Sequence, residues 1–422
     1  MSAMHTRPLF AGEQRHWARL QIVADPGDLN LLQVYRFAGS PGDLGLETRT
    51  RKLLERQSTL RTGYRLDSDG GQVAEIHDCG DLRLPLTALD ASCEDEALGL
   101  VERLRREPFD LAVPPLLRLA AIRVSGDEFW TVLVVHHIVA EADSLRIIWR
   151  DLLGAVSASA ASPHRSYEDF VADERCYADG PKYAADVAYW RAKADAIGRG
   201  ILPASIPVTS TEDSEVRSIP IEPDQWSEFL GSARAAVATP FAVVLACVGQ
   251  ALYRLLGRPR ITVGVSVSTR PIDGYDAVVG NFTNIVPVVL EPASGSLRQQ
   301  AEIAMEAVMD GFEHARAPVQ EILTAETGPD QSSIVQPLTM TATTYAEHDS
   351  LVMPGIGTAR AVAVHRGPSK VGLSIYLAVR ADSAVIHLVR GTHRQVVSMG
   401  PLVDEIRKQI AQLVLDGGAT RG

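Results

Sequence analysis

The sequence predicts an α+β fold, and three observations support this class. Segments with apolar residues at helical spacing alternate with the short apolar runs that are typical of strands. Two of these runs are separated by a Ser-Gly-Asp turn, as in a hairpin of antiparallel strands. Both halves of the 422-residue chain mix helices with mostly antiparallel strands, which is the pattern of an α+β protein.

In the first half of the chain, proline and glycine residues mark the ends of several predicted elements. Two stretches place leucines among charges, as amphipathic helices do, and Pro108 stops the second of them. A strand hairpin comes next, then a helix with one apolar stripe, then a longer helical region broken at Gly180-Pro181. These elements are expected at 45–60, 96–111, 116–137, 142–156 and 167–197.

The second half opens with a helix whose two ends are marked in the sequence. Thr239 is a favoured N-cap residue, Pro240 suits the first helical position, and Gly257 suits the C-terminal end. Further strands are expected at 260–268, 281–292, 358–367, 370–381 and 383–391, and further helices at 296–315 and 399–418.

The length predicts two lobes, because 422 residues exceed the usual size of one hydrophobic core. The junction is expected between the break at Gly180-Pro181 and the Pro-, Ser- and Thr-rich stretch 198–216. We therefore assign residues 1–185 to an N-terminal lobe and residues 186–422 to a C-terminal lobe.

Composition argues against several classes of protein. A net charge of -11 is unfavourable for general nucleic-acid binding, which needs a basic face. The four cysteines are scattered without metal-ligand spacing, so we expect no metal and free thiols in a reducing compartment. No run of about 18 apolar residues and no apolar signal core is present, so we expect no membrane segment and a cytoplasmic protein. A monomer is expected as well.

The stretch VVHHIVAEADS at 134–144 is the main candidate for chemistry. Side chains alternate across a strand, so only one of His136 and His137 can face a given cleft, and the other is expected to hold the turn from within the core. A neutral imidazole at a strand end is suited to taking a proton from an amine or hydroxyl nucleophile. The serines of GVSVSTR lack the G-x-S-x-G elbow, which favours direct attack by a bound nucleophile; a purely structural pair remains open.

Several motifs, in order along most of the chain, resemble those of condensation domains of nonribosomal peptide synthetases. These domains belong to the chloramphenicol-acetyltransferase-like superfamily. HHIVAEA resembles the signature H-H-x-x-x-D-G, and RQSTLRTGY at 56–64 resembles R-H-x-x-L-R-T-x-F. STRP at 268–271 resembles a G-R-P-like segment, and VGNFTNIVP at 279–287 resembles V-G-x-F-x-N-x-x-P. The order and spacing of these motifs carry the resemblance.

The resemblance implies two acetyltransferase-like lobes in a V-shaped pseudo-dimer with a central tunnel. It implies that His137 is the general base or positions the nucleophile. It also implies that Glu141 pairs with Arg270 and holds the loop, which is physically reasonable because a buried carboxylate needs a partner. For Asn284 and Ser144 two roles stay open: ligand contacts, or a turn contact and a helix cap respectively.

Two positions of the signature depart from the family pattern. Glu141 stands in place of Asp, which adds a methylene, and Ala142 stands in place of Gly, which can adopt conformations that Ala cannot. The departures are compatible with simple drift, with an altered donor or reaction, and with loss of activity. Gln57, in place of the family's histidine, is expected at a structural position.

We therefore expect a freestanding condensation-like acyltransferase of natural-product biosynthesis. The resemblance implies that it transfers an acyl group from a carrier-protein phosphopantetheine thioester or acyl-CoA to an amine, or less readily an alcohol. No permanent cofactor is implied, and the carrier protein is expected in trans. The alternatives are a non-catalytic module that recruits a carrier, or a condensation-fold enzyme that performs cyclisation or elimination on a tethered intermediate.

Overall fold

The computed structural model describes residues 5–20, 25–125, 128–153, 165–202, 206–207, 216–271, 274–291, 295–327, 338–344, 350–353, 357–362, 372–391, 394–395 and 397–419. The chain divides into two compact units. Unit 1 comprises Met1–Asp179, Arg270–Thr283 and Glu347–Arg366, and unit 2 comprises Gly180–Thr269, Asn284–Ala346 and Gly367–Gly422.

Helices and strands are interspersed along the chain, and the predicted α+β class is confirmed. The described helices are α1 (Ala11–Leu20), α2 (Leu46–Arg56), α3 (Glu94–Arg106), α4 (Ala142–Leu153), α5 (Tyr167–Ala178), α6 (Pro181–Gly200), α7 (Pro223–Ala235), α8 (Pro240–Leu256), α9 (Leu297–Glu313), α10 (Val319–Thr327) and α11 (Met399–Ala419). The strands are β1 (His5–Pro8), β2 (Asn30–Ala38), β3 (Thr62–Leu66), β4 (Gln72–Ile76), β5 (Leu86–Asp90), β6 (Leu117–Ser125), β7 (Glu128–His136), β8 (Ile206–Pro207), β9 (Val216–Ile221), β10 (Ile261–Ser268), β11 (Thr283–Leu290), β12 (Leu338–Thr344), β13 (Ser350–Met353), β14 (Gly357–Ala361), β15 (Leu373–Val379), β16 (Ala384–Arg390) and β17 (Arg394–Gln395).

Unit 1 contains a six-stranded sheet in the order β13-β14-β2-β7-β6-β5 and a smaller sheet, β1-β4-β3. The strand that carries the first signature histidine, β7, pairs antiparallel with β2 on one side and β6 on the other. Its side chains alternate between two buried clusters, which contain Phe129, Leu133 and Val135 on one face and Trp130, Val132 and Val134 on the other. Because both faces are covered, this strand is a continuous apolar run in the sequence.

Unit 2 contains a six-stranded mixed sheet in the order β11-β10-β12-β15-β16-β9. The pairs β10–β12 and β12–β15 are parallel, whereas β15–β16 and β16–β9 are antiparallel. The apolar helix α8 is part of the buried core, and its ends are as the sequence predicts. Thr239 accepts a hydrogen bond from the Ala242 amide, Pro240 is the first helical residue, and Gly257 ends the helix with φ 64°.

The change of unit between Asp179 and Gly180 coincides with the predicted helix break. The boundary that we placed after residue 185 falls inside α6, and two segments of the second half belong to unit 1. The strands β14 and β15 follow one another in the sequence, but β14 lies beside β2 in unit 1 and β15 lies between β12 and β16 in unit 2. The arrangement of acetyltransferase-like lobes stays a prediction.

Across the described residues, none of the helices by itself has both the length and the apolar composition of a span. The bent pair Pro223–Ala235 and Pro240–Leu256, at 93°, meets those two criteria only when its members are taken together.

Candidate active site

The end of β7 presents the two histidines in different environments. The strand stops at His136, and His137 already lies in the turn that leads to α4. The His137 amide donates to the Leu29 carbonyl at 2.9 Å, and the Val139 amide closes the turn onto the His136 carbonyl at 3.1 Å. His136 and His137 therefore point in different directions because a turn begins between them, and not because both lie in a strand as the sequence suggested.

His136 is buried and holds the turn, which is the role expected for one member of the pair. Its Nδ1 accepts a hydrogen bond from the Ile138 amide at 3.2 Å, and its ring meets the Phe109 ring edge-on, with centroids 6.1 Å apart. A ring nitrogen that accepts from an amide carries no proton, so the neutral His136 ring has its proton on Nε2.

His137 is partly exposed, and its position is held by Asn281, which occupies an unspecified position of the motifs. The side-chain nitrogen of Asn281 lies 2.7 Å from the His137 carbonyl oxygen, to which it donates, and 3.3 Å from His137 Nδ1. The His137 ring also stacks on the ring of His16 from α1, with centroids 4.8 Å apart and planes 28° apart. A partly exposed imidazole with a fixed backbone and a packed ring is suited to act as a general base.

Glu141 and Arg270, the pair implied by the family signature, are in contact. Arg270 Nη2 donates to Glu141 Oε1 at 2.8 Å, and both side chains are largely buried. The other carboxylate oxygen accepts from the Thr283 hydroxyl at 2.7 Å and from the Phe282 amide at 3.3 Å. Burial raises the pKa of Glu141 above its usual value, and this effect outweighs the opposing influence of Arg270 and Thr283. The methylene that Glu adds relative to Asp is accommodated in this network.

Ser144 is fully buried in the first turn of α4 and contacts the backbone of Gly280. Its hydroxyl donates to the Gly280 carbonyl at 2.6 Å and accepts from the Gly280 amide at 3.0 Å, and it also accepts from Arg270 at 3.3 Å. These bonds use the hydroxyl for a structural contact, so they support neither the ligand contact nor the helix cap considered from the sequence.

Ala142, the second departure from the signature, is exposed and is the first residue of α4. It therefore has helical backbone geometry, which alanine adopts without strain. The substitution of Ala for Gly thus places an added methyl group at the surface of the turn and requires no unusual backbone conformation.

The segment Arg270–Thr283 of unit 1 brings Asn281 to the histidines, and its described part is held by several side chains. Gln57 donates to the Ala277 carbonyl and accepts from the Val279 amide, both at 2.9 Å, which is the structural role expected for it. The Tyr167 hydroxyl donates to the Asn281 carbonyl at 3.0 Å. The segment is also fixed by Thr59, which donates to Val279, and by Arg270 itself, which donates to the carbonyls of Tyr275 and Val278.

Asn284 is not part of this cluster in unit 1. It lies in unit 2, is buried, and donates to the Ala315 and Ala317 carbonyls at 2.7 and 2.8 Å. Both hydrogens of the Asn284 amide are thus donated to backbone carbonyls. This bonding agrees with the turn-stabilising role, the second of the two roles considered for Asn284. The ligand-contact role considered for Asn284 has no support in these bonds.

Three contributors to the site were missed from the sequence: Asn281, Thr283 and His16. Asn281 and Thr283 occupy unspecified positions of V-G-x-F-x-N-x-x-P, and the signal for them was that polar residues interrupt VGNFTN where a core strand begins. His16 lies in the helix that precedes every motif used above. Within the described ranges, no cluster of three or more His, Cys, Asp and Glu side chains has the arrangement of a metal site.

The chain is similar to proteins of one family, both in sequence and in fold. The sequence profile described as Condensation domain matches residues 14–350. A plipastatin synthase subunit of Bacillus subtilis (strain 168) is 26% identical over 329 residues, which cover 75% of this chain and 9% of that protein. A linear gramicidin synthase subunit of Brevibacillus parabrevis is 25% identical over 331 residues, covering 75% of this chain and 4% of that protein. The chain thus spans a tenth or less of the length of these two relatives.

Solved structures show the same fold over nearly the whole chain. The first condensation domain of the calcium-dependent antibiotic synthetase has a TM-score of 0.79 at 20% identity, covering 98% of this chain and 96% of that one. The epimerization domain from the third module of tyrocidine synthetase B has a TM-score of 0.80 at 17% identity, covering 99% of each chain. The starter condensation domain of rhizomide synthetase, as a mutant in complex with C8-CoA, has a TM-score of 0.77 at 17% identity, covering 98% of this chain and 95% of that one.

The resemblance found in the sequence is therefore confirmed by the family profile, the related synthetases and the solved structures. The profile match includes both signature histidines, Glu141 and Arg270, and it covers well over half of the chain. The chain belongs to the Condensation domain family.

Proposed function

We propose that this chain is a condensation-type acyltransferase in which His137 is the general base. Condensation domains are acyltransferases that form amide bonds, so the family agrees with the expected enzyme class. The observation that carries the proposal is the state of His137: the side chain is partly exposed at the end of a central strand, and Asn281 and His16 hold it in place. The altered signature still forms its ion pair, which supports a maintained site over a relic.

The proposed reaction is aminolysis of a thioester. The acceptor amine attacks the carbonyl carbon of the acyl thioester, a C–N bond forms and the C–S bond breaks. His137 takes a proton from the amine nitrogen and returns it to the departing thiolate, which leaves as a thiol. Much of the rate gain would come from holding the amine and the thioester together in the reactive orientation. No covalent acyl-enzyme is needed in this sequence of steps.

The proposed donor is an acyl group on the phosphopantetheine arm of a carrier protein, with acyl-CoA as the free equivalent. Condensation domains use carrier-bound thioesters, and one solved relative was captured with C8-CoA. An amine acceptor is preferred over an alcohol, because the sequence has no D-F-G-W-G motif of the kind that the alcohol-acylating relatives often carry. We further propose that the carrier binds in trans and that the chain acts as a monomer.

A second candidate follows from the departures in the signature and from the fold itself. The tyrocidine synthetase epimerization domain has the same fold, so this scaffold accommodates reactions other than condensation in that protein. For this chain, the alternatives are chemistry on one tethered intermediate, such as cyclisation or elimination, or binding without reaction. Condensation adds the mass of the acceptor to the product, whereas cyclisation does not.

The proposal is tested by intact-protein mass spectrometry of acyl-loaded carrier proteins mixed with candidate amines. Wild type is compared with His137→Ala and with His5→Ala, an exposed histidine on β1 that serves as the matched control. We expect carrier unloading and an acylated amine with wild type and His5→Ala, and neither with His137→Ala. Unloading that is as fast with His137→Ala as with wild type would refute the role of the base, and a product lacking the mass of the amine would refute condensation.

A further inference from the structure

A charged residue attaches helix α1 to the rest of unit 1. Among the ten residues of this helix, all of which the structure describes, Glu13 alone is buried. The large apolar residues Trp17 and Leu20 are only partly buried against the core of unit 1. A helix at the surface of a protein usually buries an apolar stripe. The position of α1 therefore depends strongly on the groups that bind one carboxylate.

The small sheet β1-β4-β3 supplies two of those groups. Arg7 of β1 and Tyr64 of β3 both lie opposite Ala74 of β4. Side chains directly opposite each other in neighbouring strands point to the same face, so Arg7 and Tyr64 share one face of the sheet. Arg7 donates from Nη1 to Glu13 Oε2 at 2.7 Å and from Nη2 to Oε1 at 2.8 Å, and the Tyr64 hydroxyl donates to Oε1 at 3.2 Å. The carboxylate is thus bound by two strands at once.

The pair of Arg7 and Glu13 fixes the orientation of α1 as well as its distance from the sheet. Both side chains are buried, and a bidentate pair has two parallel N–H···O bonds of defined direction. Apolar packing is not directional in this way. The Phe10 amide, which precedes the helix, also donates to Glu13 Oε2, at 3.2 Å. Burial raises the pKa of Tyr64 well above its usual value, so its hydroxyl keeps the proton that it donates.

The next turn of α1 carries this orientation to the candidate site. His16 follows Glu13 by three residues, so the two side chains lie on the same face of the helix. The His16 ring stacks on the ring of His137, and His16 Nε2 lies 2.6 Å from the side-chain nitrogen of Asn281. A rotation or shift of α1 would therefore move His16 away from both residues.

We propose that the Glu13 cluster, which consists of Arg7, Glu13 and Tyr64, is a set of positioning residues for the chemistry of the candidate site. The cluster holds α1 so that His16 stays stacked on His137, and the stack holds the His137 ring. This inference rests on the proposed function of His137 as a general base. Arg7 and Glu13 lie outside the motifs described above, and Tyr64 replaces the final Phe of R-H-x-x-L-R-T-x-F, so its hydroxyl is an addition to the family pattern.

The stack is measured by NMR of protein labelled with ¹³C-histidine. Ring centroids 4.8 Å apart predict a nuclear Overhauser effect (NOE) between ring protons of His16 and His137, and the signals are assigned by their loss in His16→Phe and His137→Gln. We expect this NOE in wild type and its loss in Glu13→Gln, because glutamine leaves Arg7 buried without its counter-charge. Glu94→Gln, which alters an exposed ion pair on α3, is the matched control and should keep the NOE.

A triple variant separates positioning from folding. Arg7→Met, Glu13→Leu and Tyr64→Phe together replace the cluster by apolar side chains, an exchange that often leaves stability unchanged or improved. We expect a melting temperature at or near that of wild type but a weakened NOE, because the directional bonds are absent. An NOE as strong as in wild type would overturn the inference, since apolar packing would then suffice to place α1.

Tyr64→Phe alone tests the cluster with a change that the fold accommodates more readily, because only one hydroxyl is lost and the ion pair remains. We expect a weaker NOE than in wild type. If the triple variant does not fold, an unchanged NOE in Tyr64→Phe overturns the inference.

The catalytic readout is the separation of kcat from KM. In the triple variant we expect kcat for acyl transfer to fall by roughly 10–10²-fold, the scale expected for a misplaced group, with KM for the loaded carrier little changed. A normal kcat in a variant that has lost the NOE would overturn the inference and leave the proposed function standing. The NOE needs no substrate, so the expected NOE pattern in a protein that transfers no acyl group would refute the proposed function and leave the placement of His16 by the cluster standing.

Discussion

Glu141 and Arg270, 129 residues apart in the sequence, form a buried ion pair with Nη2 2.8 Å from Oε1. The same guanidinium donates to the Tyr275 and Val278 carbonyls, so one side chain closes its own loop and attaches that loop to the histidine turn. The geometry of the candidate site depends on this attachment, because Asn281 reaches His137 from the same segment.

Replacement of Arg270 by an uncharged residue should destabilise unit 1. Arg270→Met leaves the Glu141 carboxylate buried without its counter-charge and deprives two carbonyls of their donor, so we expect the free energy of unfolding to fall by about 3–5 kcal/mol. The matched control is Arg298→Met, since Arg298 forms an exposed ion pair with Glu302 on α9 and its loss should cost less than about 1 kcal/mol. Urea unfolding of both variants gives the comparison, and similar costs for the two would show that burial of the pair contributes little.

The protonation of Glu141 should give a distinct pH dependence of stability. Burial raises its pKa above 4.5 in the folded state, so the folded chain binds this proton more tightly than the unfolded chain does. This contribution to stability is full below the unfolded pKa and is lost as pH rises through the folded pKa. The unfolding free energy of wild type relative to Glu141→Gln should therefore decrease as pH rises from about 4.5. An increase over that range would mean that Arg270 and the hydrogen bonds outweigh desolvation.

Gly280 should tolerate no side chain. A Cβ at this position would overlap the ring of Tyr167, and the backbone cannot move freely because Ser144 binds both its amide and its carbonyl. We expect Gly280→Ala to lower the melting temperature, at a cost of about 1–3 kcal/mol, and to reduce activity by displacing Asn281.

The control for this overlap is Gly99→Ala in α3, where an added Cβ meets nothing within 4 Å. That change should raise stability by about 0.5–1 kcal/mol, because alanine is the better helix former. If Gly280→Ala proved as stable as wild type, the close packing of the Tyr167 ring against the backbone of Gly280 would be contradicted.

The cysteines should differ sharply in reactivity. Cys93 and Cys176 are exposed, Cys79 is partly exposed, and Cys247 is buried in α8, where burial raises the pKa of the thiol to about 12. We expect iodoacetamide at neutral pH to label Cys93 and Cys176 first and Cys247 only after unfolding. Peptide mass mapping of native and denatured samples gives the order, and early labelling of Cys247 would contradict the closed core around α8.

The sequence was informative where structure is determined locally. Thr239, Pro240 and Gly257 marked the ends of α8 because capping depends on a few neighbouring residues. The period-two pattern could not place the end of β7 between His136 and His137, because a strand ends where its partners end. The pairing of Glu141 with Arg270 came from the family resemblance, not from any periodicity.

The remaining features depend on long-range contacts. Residues 270–283 lie in the second half of the chain but pack in unit 1, so no local signal placed Asn281 beside His137 or Ser144 beside Gly280. The same reason explains why β14 and β15, close in sequence, belong to different sheets. Strand order and the packing of loops depend on contacts between distant parts of the chain. The apolar pattern of a single sequence indicates which residues are buried, but it does not indicate which segments they contact.

The central claim is that His137 is the base for acyl transfer, and a single-turnover measurement tests it most directly. One loaded carrier and a saturating amine are mixed with excess wild type or His137→Ala, and carrier affinity is measured separately. General-base catalysis predicts a rate loss of roughly 10²–10⁴-fold in the variant, with carrier affinity unchanged. Equal rates for the two proteins would contradict the account and assign His137 to the structure of the turn alone.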